Sequence, residues 1–508
     1  MTMRHLCAAL LWCCACVPAQ GAVWREATSE KFVVYSDGNE KALVGFTEQV
    51  EKFDQVMRLM TGLKAPASRL KLRIYLVANG TQVRSLMPRP ERYTAGFYYV
   101  TMEGAIAVVS RERAGNQFDM SGQTVLLHEY AHHFMAQYFP TAYPAWYREG
   151  FAEYFSTTQI NDDGSVAVGR IAMHRVPGLV YGKWLTPTQL MDSSLAQLDS
   201  EQRGQFYAQG WLVTHYMHRE SKSRQQLSQY LELRAGGMAH AEALQQAFGL
   251  NDEQLGKALQ QYYLKGKFPY IRIDKSNLTT PQVTVRQLPP AEGAMLLLGA
   301  RAQMGVEKSA QADFLTQVRQ EAARYAADDT AQLVLADTEA AFGDRAVARK
   351  LYEALVAKDP PNRRALLGLG FLILADRQED LEAQRTAYRQ VRRLAARANR
   401  LMADDPAALL LFYMSFSADE NGANDNARQG LLAAHGNLPQ NWPAAVMLAG
   451  EYLHDAQPEQ AIQLLKPIAY EPHGGGRSQQ AQQWIEAIKA KQPLQLPNLF
   501  YGSAERDD

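Results

Sequence analysis

Leu127-His128-Glu129-Tyr130-Ala131-His132-His133 holds two histidines four residues apart with a glutamate beside the first. On a helix that spacing puts both imidazoles on one face, one turn apart, where they can bind a single cation. Glu129 is then placed to take the proton of a water that the cation polarises. Two ligands and a general base fall within five residues. Val125, Leu126, Leu127, Ala131 and Phe134 flank them, as expected of a helix buried in a core rather than one lying on a surface. His133 is turned about 100° from His132 by helix geometry and reads as a packing or supporting residue, not a ligand.

A catalytic zinc takes three protein ligands and keeps one position open, so a third ligand must come from elsewhere. Glu149 is the candidate, within Pro144-Ala145-Trp146-Tyr147-Arg148-Glu149-Gly150-Phe151-Ala152-Glu153-Tyr154. Sixteen residues separate it from His132. They allow the first helix to end, a loop to form at Phe139 to Pro144, and a second helix to pack against the first. Glu153 shares the face of Glu149 and can accept a hydrogen bond from the other nitrogen of a ligand histidine.

His-Glu-x-x-His followed by Trp-x-x-Glu-Gly-x-Ala-Glu-Tyr resembles the gluzincin metallopeptidases, the peptidase MA group that includes thermolysin-like enzymes and large zinc aminopeptidases. The likeness is nearest to small bacterial peptidase-MA-like proteins and covers residues 23 to 268, with Phe206 to Tyr216 and Ala247-Phe248-Gly249 as further points of similarity. It implies an α+β zincin-like catalytic domain, one Zn2+ held by His128, His132 and Glu149, and Glu129 as catalytic base. Gluzincins also use a Tyr or His from a later segment to stabilise the developing oxyanion. Tyr207 and His215 are the candidates, and Tyr207 is preferred. An edge strand before the active helix binds extended peptide in such folds, and Ala105 to Ser110 is expected in that place. The chain lacks the Gly-x-Met-Glu-Asn motif of the zinc aminopeptidases, so aminopeptidase activity is not implied.

Working outward, strands are expected at Lys31 to Ser36, Leu70 to Val77, Ala95 to Val100 and Ala105 to Ser110. A helix is expected over residues 40 to 62, where Leu43, Phe46, Val50, Phe53, Val56 and Met57 share a face. The active helix should run from Ser121 to Tyr138 and the next from Ala145 to Phe155. A hairpin should turn at Asn161 to Gly164, and residues 185 to 267 read as helical. Pro281, Pro289 and Pro290 mark a linker with a short extended run at Val283 to Val285. Beyond it, Asp329 to Asn362 fits a tetratricopeptide unit of about 34 residues. Leu335, Ala336, Ala348 and Tyr352 take its packing positions, Gly343-Asp344 its turn and Pro360 its close. Leu366, Leu369 and Gly370 restart the phase, and a weaker match follows at Leu448-Ala449, Ala461 and Pro467. An all-α TPR-like solenoid is expected. The expected organisation is signal peptide 1–22, catalytic domain 23–270, linker 271–290, helical repeats 291–490 and tail 491–508.

The start of the chain reads as a secretory signal: Arg4 and His5, an apolar run from Leu6 to Val17, then small residues to Ala22. The run is short for a bilayer span. All four cysteines lie in this segment. Its removal would leave none, excluding disulfides, cysteine catalysis and thiolate ligands. The expected product is periplasmic or secreted, with no integral membrane segment in the mature chain. Lys plus Arg equals Asp plus Glu, 53 against 53, which gives no electrostatic footprint for nucleic acid. A protein or peptide substrate is expected, with a possible protein partner on the repeats. The alternative is a catalytically inactive scaffold whose repeats carry the function. Retention of Glu129 with the whole ligand set argues against it. A zinc hydrolase of non-peptide amides is a third class that the motif alone does not separate.

Overall fold

The computed structural model describes residues 23–89, 95–193, 195–471, 474–494 and 496. The expected signal segment, and most of the expected tail, lie outside the described residues. Strands β1 (Arg25–Thr28), β2 (Phe32–Ser36), β3 (Leu72–Val77), β4 (Gly96–Thr101) and β5 (Gly104–Ser110) come first. They are followed by β6 (Gln159–Ile160), β7 (Val166–Val168), β8 (Ile271–Ile273) and β9 (Thr284–Gln287). Six of them form a mixed sheet in the order β4-β5-β3-β2-β1-β9, and β6, β7 and β8 form a small antiparallel sheet. The central strands β2, β3 and β5 run parallel, with Val34 opposite Ile74 and Ile74 opposite Ala107.

Helix α1 (Glu40–Thr61) connects β2 to β3, capped by Asn39 and stopped by Gly62 in the left-handed region. Its Leu43, Val50, Phe53, Val56 and Met57 bury against Phe32, Val34 and Ile74 of the sheet. α2 (Gly80–Leu86) lies on the opposite face, where Val83 and Leu86 meet Tyr75, Val77, Ile106 and Val108. α3 (Gly122–Tyr138) carries the histidine motif and α4 (Ala145–Ser156) the two glutamates. Gly122 sits so close to β5 that a Cβ there would lie 1.9 Å from the Ser110 carbonyl oxygen, so the start of α3 is seated on the end of that strand. After α5 (Val176–Tyr181) and α6 (Pro187–Asp192), the long α7 (Ser200–His218) packs on α4. α8 (Ser221–Ala235), α9 (His240–Phe248) and α10 (Asp252–Lys265) complete this half.

Two expectations change. The strand Ala105 to Ser110, expected at an edge, is interior: β5 lies between β3 and β4, and every residue of it is buried. The edge is β4. The segment 271–290, expected as a linker, is paired into both sheets, β8 against β7 and β9 against β1.

The remaining chain is helical: α11 (Pro290–Met304), α12 (Gln311–Ala323), α13 (Asp329–Phe342), α14 (Arg345–Val356), α15 (Arg363–Ala375), α16 (Leu381–Leu401), α17 (Pro406–Met414), α18 (Asp425–Asn437), α19 (Trp442–His454), α20 (Pro458–Ala469) and α21 (Gly475–Lys489). From α13 onward each helix packs on the next. The unit read at Asp329 to Asn362 is a helix pair turned at Gly343-Asp344, with Ala336, Ala348 and Tyr352 buried and Leu335 half-buried. Pro467 lies inside α20 rather than after it. α11 does not stand apart from the sheet: its Ala300 and Met304 close the face covered by α2. The β4–β5 turn reaches the array in return. Met102 packs on its apolar core, and Glu103 meets Arg364 at 3.1 Å, which also holds Asp337 at 2.7 Å. Among the described residues no helix is long and apolar enough to cross a membrane.

α4 and α7 cross at Gly150 and Gly210. A Cβ at position 150 would lie 2.2 Å from Thr214 Oγ1 and 2.5 Å from the Gly210 carbonyl oxygen. The helix bearing Glu149 can approach α7 only because that side chain is missing. Gly150→Ala is therefore expected to destabilise the fold by about 1–3 kcal/mol in denaturant unfolding. A variant as stable as the parent would show that the crossing tolerates separation.

Candidate metal centre

Ser121 caps α3 by accepting from the Thr124 amide, which fixes where the helix begins and so which way each residue of the motif points. Leu126, Leu127, Ala131 and Phe134 turn into the core, while Glu129 and His132 are only half-buried. α4 starts after Pro144 and is nearly all buried; Glu149 and Glu153 have no exposed surface. The two helices pack against each other, and the imidazoles of one meet the carboxylates of the other.

Three donor atoms converge. His128 Nε2 and His132 Nε2 are 3.1 Å apart. Glu149 Oε2 stands 3.5 Å from the first and 3.4 Å from the second. Donors bound tetrahedrally at about 2.0–2.1 Å from a zinc ion stand about 3.3–3.4 Å from one another. The triangle has the size and the donor chemistry, two imidazole nitrogens and one carboxylate oxygen, that such an ion requires. His128, His132 and Glu149 form the metal-competent group among the described residues.

The surrounding charges point the same way. Burial opposes charge on the His128 ring, but Glu149 and Glu153 outweigh it and raise the ring to about 10. Two fully buried carboxylates so close together call for a positive charge between them. On its other side the His128 ring turns Nδ1 toward Glu153 Oε1 at 3.3 Å, as expected for the supporting acceptor. Glu153 is held in turn by His174 Nε2 at 2.8 Å and Arg175 Nη2 at 2.5 Å. Burial would raise its carboxyl; Arg175, then His128 and His174, overcome that and keep it well below the usual range. The half-buried Glu129 adds its charge to the field at both His128 and Tyr207.

His174 and Arg175 were not expected here. They end the segment after the hairpin and fold back onto α4. Their only signal in the sequence is a pair of polar cationic groups following a hairpin near the motif, which is too common to single them out. Of the two residues considered for an oxyanion donor, Tyr207 is placed beside the centre. The Arg175 guanidinium lies 4.8 Å from its ring centroid. Burial and then the Glu149 carboxylate push its hydroxyl far above the ordinary value, so it keeps its proton and can donate. His215 is committed elsewhere: Nδ1 pairs with the Tyr262 hydroxyl and Nε2 with the Gly169 carbonyl oxygen, each at 2.8 Å. Burial lowers it to about 4. His133 is buried against Tyr98 and Tyr130 and directs Nδ1 away from the donor triangle, to the Tyr98 hydroxyl at 2.8 Å.

No family model matches the chain, and no curated protein matches it in sequence.

If Glu153 orients His128, Glu153→Gln should weaken binding of a first-row divalent cation about 10–100-fold, read by competition with a chelating dye. Unchanged affinity would remove Glu153 from the support of the centre.

Proposed function

We propose that this chain is an exported, zinc-dependent metallopeptidase of gluzincin type that hydrolyses peptide bonds, with a TPR-like helical array behind a zincin-like catalytic domain. The observation that carries this reading is the donor triangle of His128, His132 and Glu149, with Glu129 on the same helix and Glu153 behind His128. The α+β body followed by consecutive helix pairs agrees with it. Export rests on the pattern of the first residues, and a protein partner on the helical array is part of the same proposal.

A zinc ion on the three donors would supply Lewis acidity, making water acidic and the scissile carbonyl electrophilic. The chain's own residues do the rest. Glu129 takes the proton of the attacking water and delivers it to the leaving amine. Tyr207, held protonated, donates a hydrogen bond to the developing oxyanion. Glu153, clamped by His174 and Arg175, fixes the tautomer of His128 so that Nε2 faces the metal position with its lone pair. An inert scaffold has no need of two histidines and a buried glutamate gathered with Glu129 on the same helix, so the scaffold reading is the weaker one.

The test is metal content and hydrolysis of casein or a quenched peptide by the purified protein. Wild type and Glu129→Gln should both hold one zinc per chain, and only the wild type should cleave. Zinc in both without cleavage would point to a narrow substrate or to latency, and zinc in neither would end the catalytic reading. Once turnover is established, Tyr207→Phe is expected to lower kcat about 10²–10³-fold while zinc content stays whole. A variant that turns over at the parental rate would free Tyr207 from the role.

A further inference from the structure

The helical array is bonded to the residues that stand next to the donors. Gln440, in the connection between α18 and α19, touches both the sheet and α3. Its Nε2 lies 3.0 Å from His133 Nδ1 and 3.4 Å from the His133 carbonyl oxygen. Its Oε1 accepts from the Tyr98 hydroxyl, and that hydroxyl is itself 2.8 Å from His133 Nδ1. Tyr98 belongs to the edge strand β4, and His133 follows the donor His132. At α4 the pattern repeats. Arg148, which precedes the donor Glu149, reaches Glu471 at 2.8 Å and the Tyr470 carbonyl oxygen at 3.3 Å.

Successive helical residues point about 100° apart. The donors therefore face one another while the residues beside them, His133 and Arg148, point elsewhere and meet the array. Of these contacts Gln440 alone joins three elements, β4, α3 and the array. Its amide is a flat two-ended group, and each end is used. A side chain that merely docked the two halves could satisfy itself on either surface; this one spans the gap between them.

We propose that Gln440 is a positioning residue for the metal centre. By holding Tyr98 and His133 together it sets the spacing between β4 and α3, and with it the rotation of α3 that aims His128, Glu129 and His132. The proposal rests on the metal-centre reading above. It makes the array a wall of the catalytic cleft and not a detachable arm.

The test uses the full chain, with Gln440→Ala, Tyr98→Phe and Gln137→Ala beside the wild type. Gln137 is the control: its Nε2 donates to the Asn437 carbonyl oxygen at 3.3 Å, across the same interface but clear of Tyr98 and His133. Zinc affinity is measured by competition with a chelating dye, and kcat and KM on a casein-derived peptide. Gln440→Ala and Tyr98→Phe should each weaken zinc binding and lower kcat about tenfold, with KM within about twofold. Gln137→Ala should leave both at the wild-type value. If Gln440→Ala behaves as Gln137→Ala does, Gln440 only docks the two halves and the proposal falls, with the metal centre intact. A wild type that binds no zinc overturns the metal centre and this proposal together. Zinc affinity decides the matter even where the peptide is not turned over.

Discussion

Glu149 and Glu153 are carboxylates with no exposed surface, one helical turn apart on α4. Charge of that kind is tolerated only when it is paired and hydrogen-bonded, and the elements around α4 are arranged to meet the demand. α3 supplies two imidazoles from one side. The segment after the hairpin supplies His174 and Arg175 from the other. The division of labour is clear in the geometry. Glu153 is answered by an arginine and two histidines, so its charge is settled within the protein. Glu149 meets two histidine nitrogens at 3.4 to 3.5 Å, and its charge raises the His128 ring. Glu153 is clamped by His174 and Arg175, and Glu149 completes with His128 and His132 a group that could hold a metal ion.

How much of this could be read beforehand depends on how local the signal is. α3 and α4 carry their chemistry within a few residues, at helical spacing, and both the helices and the convergence of His128, His132 and Glu149 follow from that. The placement of Glu153 beside His128 follows too, since the two glutamates share a helix face. His174 and Arg175 reach Glu153 through a hairpin and two changes of direction, and no periodicity announces such a return. The order of strands in a sheet is likewise not local, so β5 was expected at the edge. A signal was present: Ala105 to Val109 is an unbroken apolar run, which suits a strand covered on both faces. For β9 the signal was only the short extended run at Val283 to Val285, which overlaps the strand without telling its partner. Most of its four residues are exposed, and it is a strand only because β1 offers it a partner.

The two halves of the chain are joined more closely than their composition suggests. α11 covers the sheet, the β4–β5 turn enters the array through Met102 and the Glu103–Arg364 pair, and β9 lies immediately before the first helix of the array. Arg364 is half-buried with Glu103 and Asp337 around it, a charge network shared by the β4–β5 turn and the array. Of the prolines that suggested a linker, two begin a helix: Pro289 stands at the N-cap of α11 and Pro290 occupies its first turn, where a missing amide costs nothing.

This joining bears on the proposed chemistry. Catalysis by polarised water requires donors, base and oxyanion partner held within a fraction of an ångström of their working positions. In this chain Gln440 ties Tyr98 of the edge strand to His133 of the helix from within the helical array. Arg148 ties the second donor helix to the same array. The array thereby bonds to both helices that carry the metal-competent group, so that their placement depends on contacts from both halves of the chain.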